Sequence, residues 1–347
     1  MPSLPSHLSD DQIGAVLYDA LSSRKLELTL FPTEQCNFRC VYCYEDFSIG
    51  RMKTPTITGI KNLIKNRADD LDKLVLAWFG GEPLIAYDIV KEISAFASEV
   101  AADKGFATDI AITTNGYALD QRRQVELFAS GVRKYQISLD GNETEHNRTR
   151  LRANGQGSFA KIWANLLSFN ALCDQGAILD SSVMIRVHVH PNNIESVLEL
   201  IQKIKDTLSP EFFTIFIKDV GYYGGKNDGT FNILGTGEDA LAVKRKIYAQ
   251  LPPFVRETHG EGLSVCYAAK ANAFTVRADG SVGKCTVALN SSRNRVGWLK
   301  ENGDLELDGE KAALWLHPLA TMNLDDLNCP VNSLPQLATP IQALAAA

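Results

Sequence analysis

Residues 36–44 of this 347-residue chain read CNFRCVYCY, directly after a predicted strand. Three thiolates this close together on a loop, here Cys36, Cys40 and Cys43, can bind three irons of a four-iron cluster and leave the fourth iron open. A structural zinc site is the alternative, but zinc takes four protein ligands and no fourth ligand lies nearby in the sequence. The spacing therefore favours an iron–sulfur cluster over zinc or coincidence.

The composition is that of an ordinary globular protein, with 45% hydrophobic and 22% charged residues. A net charge of −6 argues against nucleic acid as the main partner. The sequence contains neither an apolar stretch of membrane-spanning length nor a signal peptide, so we expect a cytoplasmic protein without a membrane partner. In that compartment the seven cysteines indicate metal ligands or reactive thiols rather than disulfides.

Outward from the cysteines, hydrophobic patterns predict alternating strands and helices. The predicted strands cover residues 25–31, 74–79, 108–113, 134–139, 182–189 and 212–218. The predicted helices cover residues 10–22, 86–104, 119–129, 158–174, 193–207 and 237–250, and a further helix begins with Thr54 as its N-cap and Pro55 as its first residue. Six strand–helix units, with the last helix displaced, predict an α/β fold whose parallel sheet curls into a partial (β/α)6 barrel similar to a TIM barrel.

Beyond Asp219 the pattern changes to a glycine-rich loop, residues 221–229, and then to short β-like runs that contain three more cysteines. We interpret this part as a linker followed by a small metal-bearing module. The predicted domains are an N-terminal helical extension (1–25), the partial barrel (26–220), the linker (221–262), the small module (263–332) and a C-terminal tail (333–347).

The Cys-x3-Cys-x-aromatic-Cys spacing resembles the signature of the radical S-adenosylmethionine (radical SAM) superfamily. Over about residues 26–220 the chain is most similar to its peptide- and protein-modifying branch, which includes maturases of ribosomally made peptides and anaerobic sulfatase maturases. Three further landmarks follow strands in the family's order. Residues 80–83 resemble the GGEP motif, residues 113–116 resemble the motif after the third strand, and residues 138–141 with His146 and Arg150 match SLDG-x4-H-x3-R.

This resemblance implies that the open iron of the [4Fe-4S] cluster binds SAM. The residues it assigns to SAM binding are Tyr42, Gly80, Gly81, Glu82, Thr114, Asn115, Ser138, Asp140 and Arg150. In the family pattern Glu82 accepts from the SAM amino group, Ser138 and Arg150 contact the carboxylate and ribose side, and Tyr42 lies near the adenine. A guanidinium suits this role because it can bind a carboxylate through two hydrogen bonds.

Cys266, Cys285 and Cys329 resemble the C-terminal auxiliary-cluster modules of the same superfamily, SPASM and its shorter form, Twitch. A Twitch module commonly ends in Cys-x2-Cys, whereas this chain has Asn332 at the final position. We expect the three cysteines to hold a second [4Fe-4S] cluster whose fourth iron is open or bound by Asn332, water or substrate. The alternative is a small domain that has lost its cluster.

The remaining residues of interest carry weaker signals. Cys173 lies among leucines on a helix and is interpreted as a buried small hydrophobe, with hydrogen-atom donation as the minor alternative. Arg186, His188 and His190 share one face of a strand, where they could line a substrate cavity or serve a structural purpose. Asp219 ends the sixth strand, and we predict it as a catalytic base, against a turn or surface role.

The resemblance predicts an enzyme that generates a 5′-deoxyadenosyl radical and oxidatively modifies a ribosomally made peptide by cross-linking, C–H functionalisation or backbone rearrangement. We expect the partners to be that peptide, a separate leader-recognition protein, since only about 25 residues precede the first strand, and a flavodoxin or ferredoxin reductant. The alternatives are a small-molecule dehydrogenase or cyclase, a peptide epimerase, and a non-enzymatic iron–sulfur protein.

Overall fold

The computed structural model describes residues 9–235, 238–249 and 265–331. Its helices are α1 Asp10–Leu21, α2 Thr54–Arg67, α3 Tyr87–Lys104, α4 Gln121–Ala129, α5 Glu143–Thr149, α6 Phe159–Asp174, α7 Ile194–Thr207, α8 Glu238–Tyr248, α9 Gly309–Thr321 and α10 Leu324–Asn328. Its strands are β1 Lys25–Leu30, β2 Phe38–Cys40, β3 Lys73–Trp78, β4 Ala107–Thr114, β5 Val132–Leu139, β6 Arg150–Arg152, β7 Ser182–Val189, β8 Phe213–Asp219, β9 Ala273–Val276, β10 Ser281–Gly283, β11 Arg295–Leu299 and β12 Leu305–Leu307.

The chain divides into two compact units. The first contains the described residues up to Gln35, then Phe47–Ile110 and residues 265–331. The second contains Cys36–Asp46 and the described residues from 111 to 249. Strand β4 begins in the first unit and ends in the second.

In the first unit, β1 has two parallel neighbours. Leu28 of β1 is in register with Leu76 of β3 on one side and with Phe274 of β9 on the other. Strands β10, β11 and β12 continue from β9 by antiparallel pairing. Every second residue of β1 and β3 is fully buried, so one face of this sheet lines an apolar core. Helix α2 packs against α3.

Helix α2 begins one residue away from the predicted position. Its N-cap is Lys53, which makes no side-chain capping bond, so Thr54 is the first helical residue and the prediction that it caps the helix was wrong. Pro55 is still in the first turn, where its missing N–H costs nothing. The helix buries an apolar stripe that includes Ile60, Leu63 and Ile64.

In the second unit, β5, β7 and β8 pair in parallel, with Ile137, Ile185 and Ile215 in register. The amphipathic helix α7 buries one stripe, formed by Val197, Leu200, Ile201 and Ile204. Short strands β2 and β6 form a separate antiparallel pair. The two faces of β7 differ in polarity. One face carries the fully buried Val183, Ile185 and Val187, and the other carries Arg186 and His188.

The predicted α/β class with a largely parallel sheet is confirmed, because all six predicted strands form and alternate with helices. Sequence patterns missed α5, β2, β6, β11, β12, α9 and α10.

The compact units follow different bounds from the five predicted domains, since β9 of the predicted small module pairs with β1 of the predicted barrel. That domain division stays a prediction. None of the described helices is long and apolar enough to cross a membrane.

Candidate active site

The cysteine-rich segment of the second unit is held by backbone pairing. Cys40 at the end of β2 is in register with Arg150 at the start of β6. One residue on, the amide of Val41 donates to the carbonyl of Thr149 at 3.0 Å. On the other side of β2, Asn115 Nδ2 donates to Asn37 Oδ1 at 2.8 Å. The segment that carries Cys36, Cys40 and Cys43 is therefore positioned by the residue after the end of β4 and by the start of β6.

A buried polar network connects this segment with the ends of β5 and β7. The phenol oxygen of Tyr42 lies 2.8 and 2.6 Å from the two carboxylate oxygens of Asp140, and it accepts a 2.8 Å hydrogen bond from Arg150 Nη1. Asp140 is fully buried and also accepts from the Thr149 hydroxyl at 2.7 Å. His188 Nδ1 is 3.1 Å from Asp140 Oδ1. Asp140 is thus the shared acceptor of the network.

The charges in this network compensate one another. Burial alone would raise the pKa of Asp140, but the hydrogen bond from His188 and the charge of Arg150 lower that pKa well below its ordinary value. Burial also opposes the positive charge of Arg150, yet its anionic neighbours raise its pKa. Burial raises the pKa of the Tyr42 phenol and lowers the pKa of His188 to about 4. At neutral pH the site therefore contains one carboxylate and one guanidinium, with neutral Tyr42 and His188.

The cysteines of this segment fit a metal cluster. Burial raises the pKa of Cys40, and it raises the pKa of Cys43 to about 12, so both sulfurs are protonated unless a cation compensates their charge. Iron ions would provide that compensation, because metal binding requires and stabilises the thiolate. The backbone amide of Phe38 donates to the Cys36 sulfur at 3.3 Å, a type of bond that tunes iron–sulfur clusters.

The glycine-rich loop packs on the same segment. A Cβ at Gly225 would lie 2.5 Å from the Cys43 carbonyl oxygen, so only glycine fits without a shift of the backbone. Beside this contact, the rings of Tyr44 and Tyr223 meet edge to face with centroids 5.8 Å apart. Further along, Phe231 contacts the rings of Tyr42 and His190.

In the first unit, residues 80–83 form a turn against the backbone of residues 34–35. Gly80 has φ +87°, a conformation that favours glycine, and a Cβ at Gly81 would lie 2.2 Å from the Gln35 carbonyl oxygen. The Glu82 amide donates to that carbonyl at 2.9 Å, and the buried Glu82 carboxylate accepts from the Leu84 amide. These contacts explain both glycines structurally, and the assignment of Gly80, Gly81 and Glu82 to SAM stays a prediction.

The other predicted SAM residues lie at strand ends of the second unit. Thr114 and Asn115 shape the turn after β4, because their side-chain oxygens accept from the amides of Gly116 and Tyr117 at 3.1 and 3.0 Å. Ser138 is in register with Arg186 on β7. Their roles in SAM binding also remain predictions.

The three C-terminal cysteines lie close enough in the first unit to influence one another. Burial raises the pKa of Cys266 to about 12, with smaller contributions from the charges of Cys285 and Cys329. Cys285 accepts backbone hydrogen bonds at its sulfur from Val287 and Ala288, at 3.3 and 3.5 Å. These observations fit a cluster held by three thiolates. Asn332 lies outside the described residues.

A buried lysine lies beside these cysteines. Lys284 precedes Cys285 and is 2% exposed, and its ammonium donates to the carbonyls of Lys270 and Ala273. Burial lowers the pKa of Lys284 to about 8, against the opposing effect of a Cys266 thiolate. The buried ammonium of Lys284 therefore favours a negatively charged group beside the three C-terminal cysteines. Over the described residues, no three His, Cys, Asp or Glu side chains are spaced to hold a single metal ion.

The weaker predictions have specific outcomes in the structure. Cys173 is 7% exposed within α6, consistent with a small buried hydrophobe. The Asp219 carboxylate forms an ion pair with Lys244 Nζ at 2.5 Å, and its role as a base stays a prediction. Sequence patterns missed Thr149 and Asn193, which hold Asp140 from two sides, although Thr149 directly precedes the recognised Arg150.

Known proteins support the resemblance. The family model described as "Radical SAM superfamily" matches residues 30–204. A GTP 3′,8-cyclase from Microcystis aeruginosa is 32% identical over 137 residues, which are 38% of this chain and 40% of that protein. A cysteine-type anaerobic sulfatase-maturating enzyme from Clostridium novyi is 30% identical over 157 residues, 42% of this chain and 41% of that protein. The chain thus spans about two fifths of the length of these relatives.

Two solved structures share the fold at low sequence identity. One is anSMEcpe with bound AdoMet and the Cp18Cys peptide, with a TM-score of 0.61, 19% identity, and coverage of 84% of this chain and 83% of the other. The second is Streptococcus suis SuiB bound to its precursor peptide SuiA, with a TM-score of 0.56, 13% identity, and coverage of 88% and 68%. Both similar folds bind peptides.

Proposed function

The chain belongs to the radical SAM superfamily of enzymes, and we propose that it oxidatively modifies a ribosomally made peptide. In this proposal Cys36, Cys40 and Cys43 hold a [4Fe-4S] cluster. When bound, that cluster supplies the electron that cleaves SAM and so produces a 5′-deoxyadenosyl radical. The protein binds and orients the substrates and excludes water.

The observation that carries the proposal is the register of Cys40 with Arg150. This pairing places a buried guanidinium directly beside the cluster-binding segment. Arg150 uses Nη1 to hold Tyr42, whereas its buried Nε has no hydrogen-bond partner among the described residues. An unsatisfied buried donor of this kind fits an anionic ligand group, and we assign it to the carboxylate of SAM.

The peptide substrate is supported by the C-terminal cysteines and by the similar folds. Cys266, Cys285 and Cys329 are close together beside the buried Lys284, as a second [4Fe-4S] cluster requires. A one-electron acceptor of this kind favours oxidation of the substrate radical over its quenching. The anSMEcpe and SuiB folds bind a peptide and a precursor peptide, respectively. We further propose a flavodoxin- or ferredoxin-type reductant and a separate leader-recognition protein.

The test begins with iron. Anaerobic reconstitution should give about eight irons per chain, and Cys285→Ala should lower this to about four. Cys40→Ala should abolish formation of 5′-deoxyadenosine, and Cys173→Ala, which removes a buried thiol outside both sets, should leave it intact. SAM cleavage by the Cys40→Ala variant would contradict the assignment of the first cluster, and about four irons in the unmodified chain would contradict the second.

The substrate test uses peptides encoded by short reading frames beside the gene, incubated with the reconstituted enzyme, SAM and dithionite. Mass spectrometry should show a loss of about 2 Da for each oxidation, because two hydrogens leave the peptide. Unchanged mass with uptake of solvent deuterium would indicate epimerisation instead.

A small-molecule substrate is the second candidate. The observation that favours it is the 32% identity to a GTP 3′,8-cyclase over 137 residues. Deoxyadenosine formation that depends on GTP, with no change in any peptide, would support this candidate and contradict the first.

A further inference from the structure

We propose that His188 is the general base of the reaction and that it accepts a proton from the substrate through Nε2. This inference rests on the proposed oxidative function, which supplies a substrate that must lose a proton. It concerns a residue for which the sequence left two interpretations open, lining a substrate cavity and serving a structural purpose.

The geometry determines which nitrogen of His188 carries hydrogen. Nδ1 lies 3.1 Å from Asp140 Oδ1 and 3.2 Å from the Tyr42 hydroxyl. Asp140 is ionised, and a carboxylate only accepts hydrogen bonds, so Nδ1 must be the donor. A neutral imidazole has one N–H, and therefore the lone pair of His188 is on Nε2.

Nε2 is available to a substrate. All side-chain hydrogen bonds of His188 to described residues use Nδ1, and its side chain remains 11% exposed. It lies on the same face of β7 as Arg186, whose buried Nε has no hydrogen-bond partner among the described residues. This strand face therefore offers one unoccupied acceptor and one unoccupied donor.

The other two histidines of the second unit and Asp219 are less suited to this role. His190 Nε2 is 2.9 Å from Glu145 Oε1. His146 Nε2 is 2.9 Å from the Ser158 hydroxyl, and its Nδ1, which has no hydrogen-bond partner among the described residues, is fully buried. The Asp219 carboxylate is neutralised by Lys244. The unpartnered nitrogen of His188 is therefore the one that is not fully buried.

Asp140 suits this role because it stays ionised. It fixes the tautomer and orientation of His188 and stabilises the imidazolium that forms when Nε2 is protonated, as a buried aspartate does in hydrolytic triads. Asn193 donates to the carbonyls of both Asp140 and His188, at 2.7 and 2.9 Å, and so holds the two residues together.

With SAM and the clusters bound, the substrate would lose one hydrogen atom to the deoxyadenosyl radical, one electron to an iron–sulfur cluster and one proton to His188 Nε2. The substrate thus loses two hydrogens in all. A proton taken from the adjacent atom leaves a double bond, and a proton taken from an attacking nucleophile leaves a new bond to that nucleophile. An oxidised radical is a strong acid, so a base with a low pKa is sufficient to deprotonate it.

The charged and titratable groups around His188 keep it neutral. Burial lowers the pKa of His188 to about 4, Asp140 raises it, and Arg186 and Arg150 lower it further. The hydroxyl of Tyr42 contacts the ring, and Lys218 is its register partner on β8. Neutrality at pH 7 is a condition for the base, because an imidazolium cannot accept a proton.

The first test needs no substrate. Hydrogen–deuterium exchange at imidazole C2 in the reconstituted enzyme, followed by mass spectrometry across pH, measures the pKa of each histidine. We expect the pKa of His188 to be below 6. A pKa of His188 above 7 would overturn the proposal.

The second test uses the peptide that loses about 2 Da with the unmodified enzyme. His188→Ala should still form deoxyadenosine, but the ratio of product to deoxyadenosine should fall about 100-fold, within the range for loss of a general base. Added imidazole should restore the ratio, which it would not do if His188 were only structural. His317→Gln is the matched control and should not change the ratio.

The outcomes separate the two proposals. If the unmodified enzyme forms deoxyadenosine but converts no peptide, the proposed function fails, and the role of His188 fails with it. If the peptide is converted and His188→Ala keeps the normal product ratio, only the role of His188 is overturned. A lowered ratio that imidazole does not restore would also contradict a proton-transfer role.

Discussion

The phenol oxygen of Tyr42 lies 2.6 Å from Oδ2 of Asp140, although 98 residues separate them in the sequence. Tyr42 belongs to the segment between the second and third cysteines, and Asp140 follows β5. The bond fastens the segment that carries the three cysteines to the end of a parallel strand, which is the part of such folds where active sites are built.

Replacing Tyr42 with phenylalanine should loosen this connection. The variant loses one hydroxyl that contacts Asp140, Arg150 and His188, so buried polar groups are left without a partner. We expect the free energy of unfolding to fall by about 1–3 kcal/mol and SAM to bind more weakly. Anaerobic urea denaturation and equilibrium dialysis with SAM measure the two effects. Tyr18→Phe, at a residue that is 66% exposed, is the control. Equal losses in both variants would contradict a contribution of the Tyr42 hydroxyl to stability and to SAM binding.

Gly225→Ala tests the packing of the glycine-rich loop on the cysteine segment. The new Cβ would lie 2.5 Å from the Cys43 carbonyl, so the backbone of one segment must move. We expect the electron paramagnetic resonance signal of the reduced cluster to change and SAM cleavage to slow about 10- to 100-fold. Gly235→Ala adds the same methyl where no non-neighbouring atom of the described residues lies within 4 Å, and it should behave as the unmodified enzyme. Normal cleavage in Gly225→Ala would show that the contact is dispensable.

Arg277→Met should destabilise the first unit. Arg277 donates from Nε and Nη2 to the two carboxylate oxygens of Glu34, at 2.8 and 2.5 Å, and Glu34 is 2% exposed. Removing the guanidinium takes a bidentate charged partner away from a buried carboxylate, which costs about 3–5 kcal/mol. The midpoint of urea denaturation should fall accordingly. The double variant with Glu34→Gln should recover part of the loss, and a double variant no more stable than Arg277→Met would contradict this explanation.

Acidification should destabilise the protein through its buried histidines. Burial lowers the pKa of His146 to about 3, whereas the unfolded chain has an ordinary value near 6.5. Between these values the unfolded state binds a proton that the folded state does not. The contribution of neutral His146 to stability is therefore fully present above pH 6.5. Below that pH the free energy of unfolding falls by about 1.4 kcal/mol per pH unit because of this histidine.

The measurement is anaerobic urea denaturation of the reconstituted enzyme between pH 5 and 7. His146→Gln should flatten the pH dependence by one proton, whereas His317→Gln at an exposed position should not. An unchanged slope in His146→Gln would mean that His146 is protonated in the folded state.

The sequence predicted well those features that depend on local patterns. The six strands form because each is a short apolar run bounded by turn residues. The cysteine segment was recognised from its spacing and the residues around Arg150 from their resemblance to a family motif, and the structure pairs Cys40 in register with Arg150.

Features that depend on distant partners were not predictable in this way. Helix α5, residues 143–149, has no apolar stripe, and its main signal is the Asn142 side chain that caps it. Strands β2 and β6 have three residues each and exist only because they pair. Nor does the sequence show that Lys244 neutralises Asp219 or that Asp140 holds one nitrogen of His188.

The parallel pairing of Glu27 with Ala273 has a consequence for how the protein is made. A ribosome synthesises β1 early, but the strand that covers its second edge is translated only after most of the chain. Until then β1 exposes unpaired amides and carbonyls, which makes the nascent chain prone to aggregate. We expect chaperones to be needed during synthesis, and chains that terminate before residue 273 to be insoluble even though both β1 and β3 are complete.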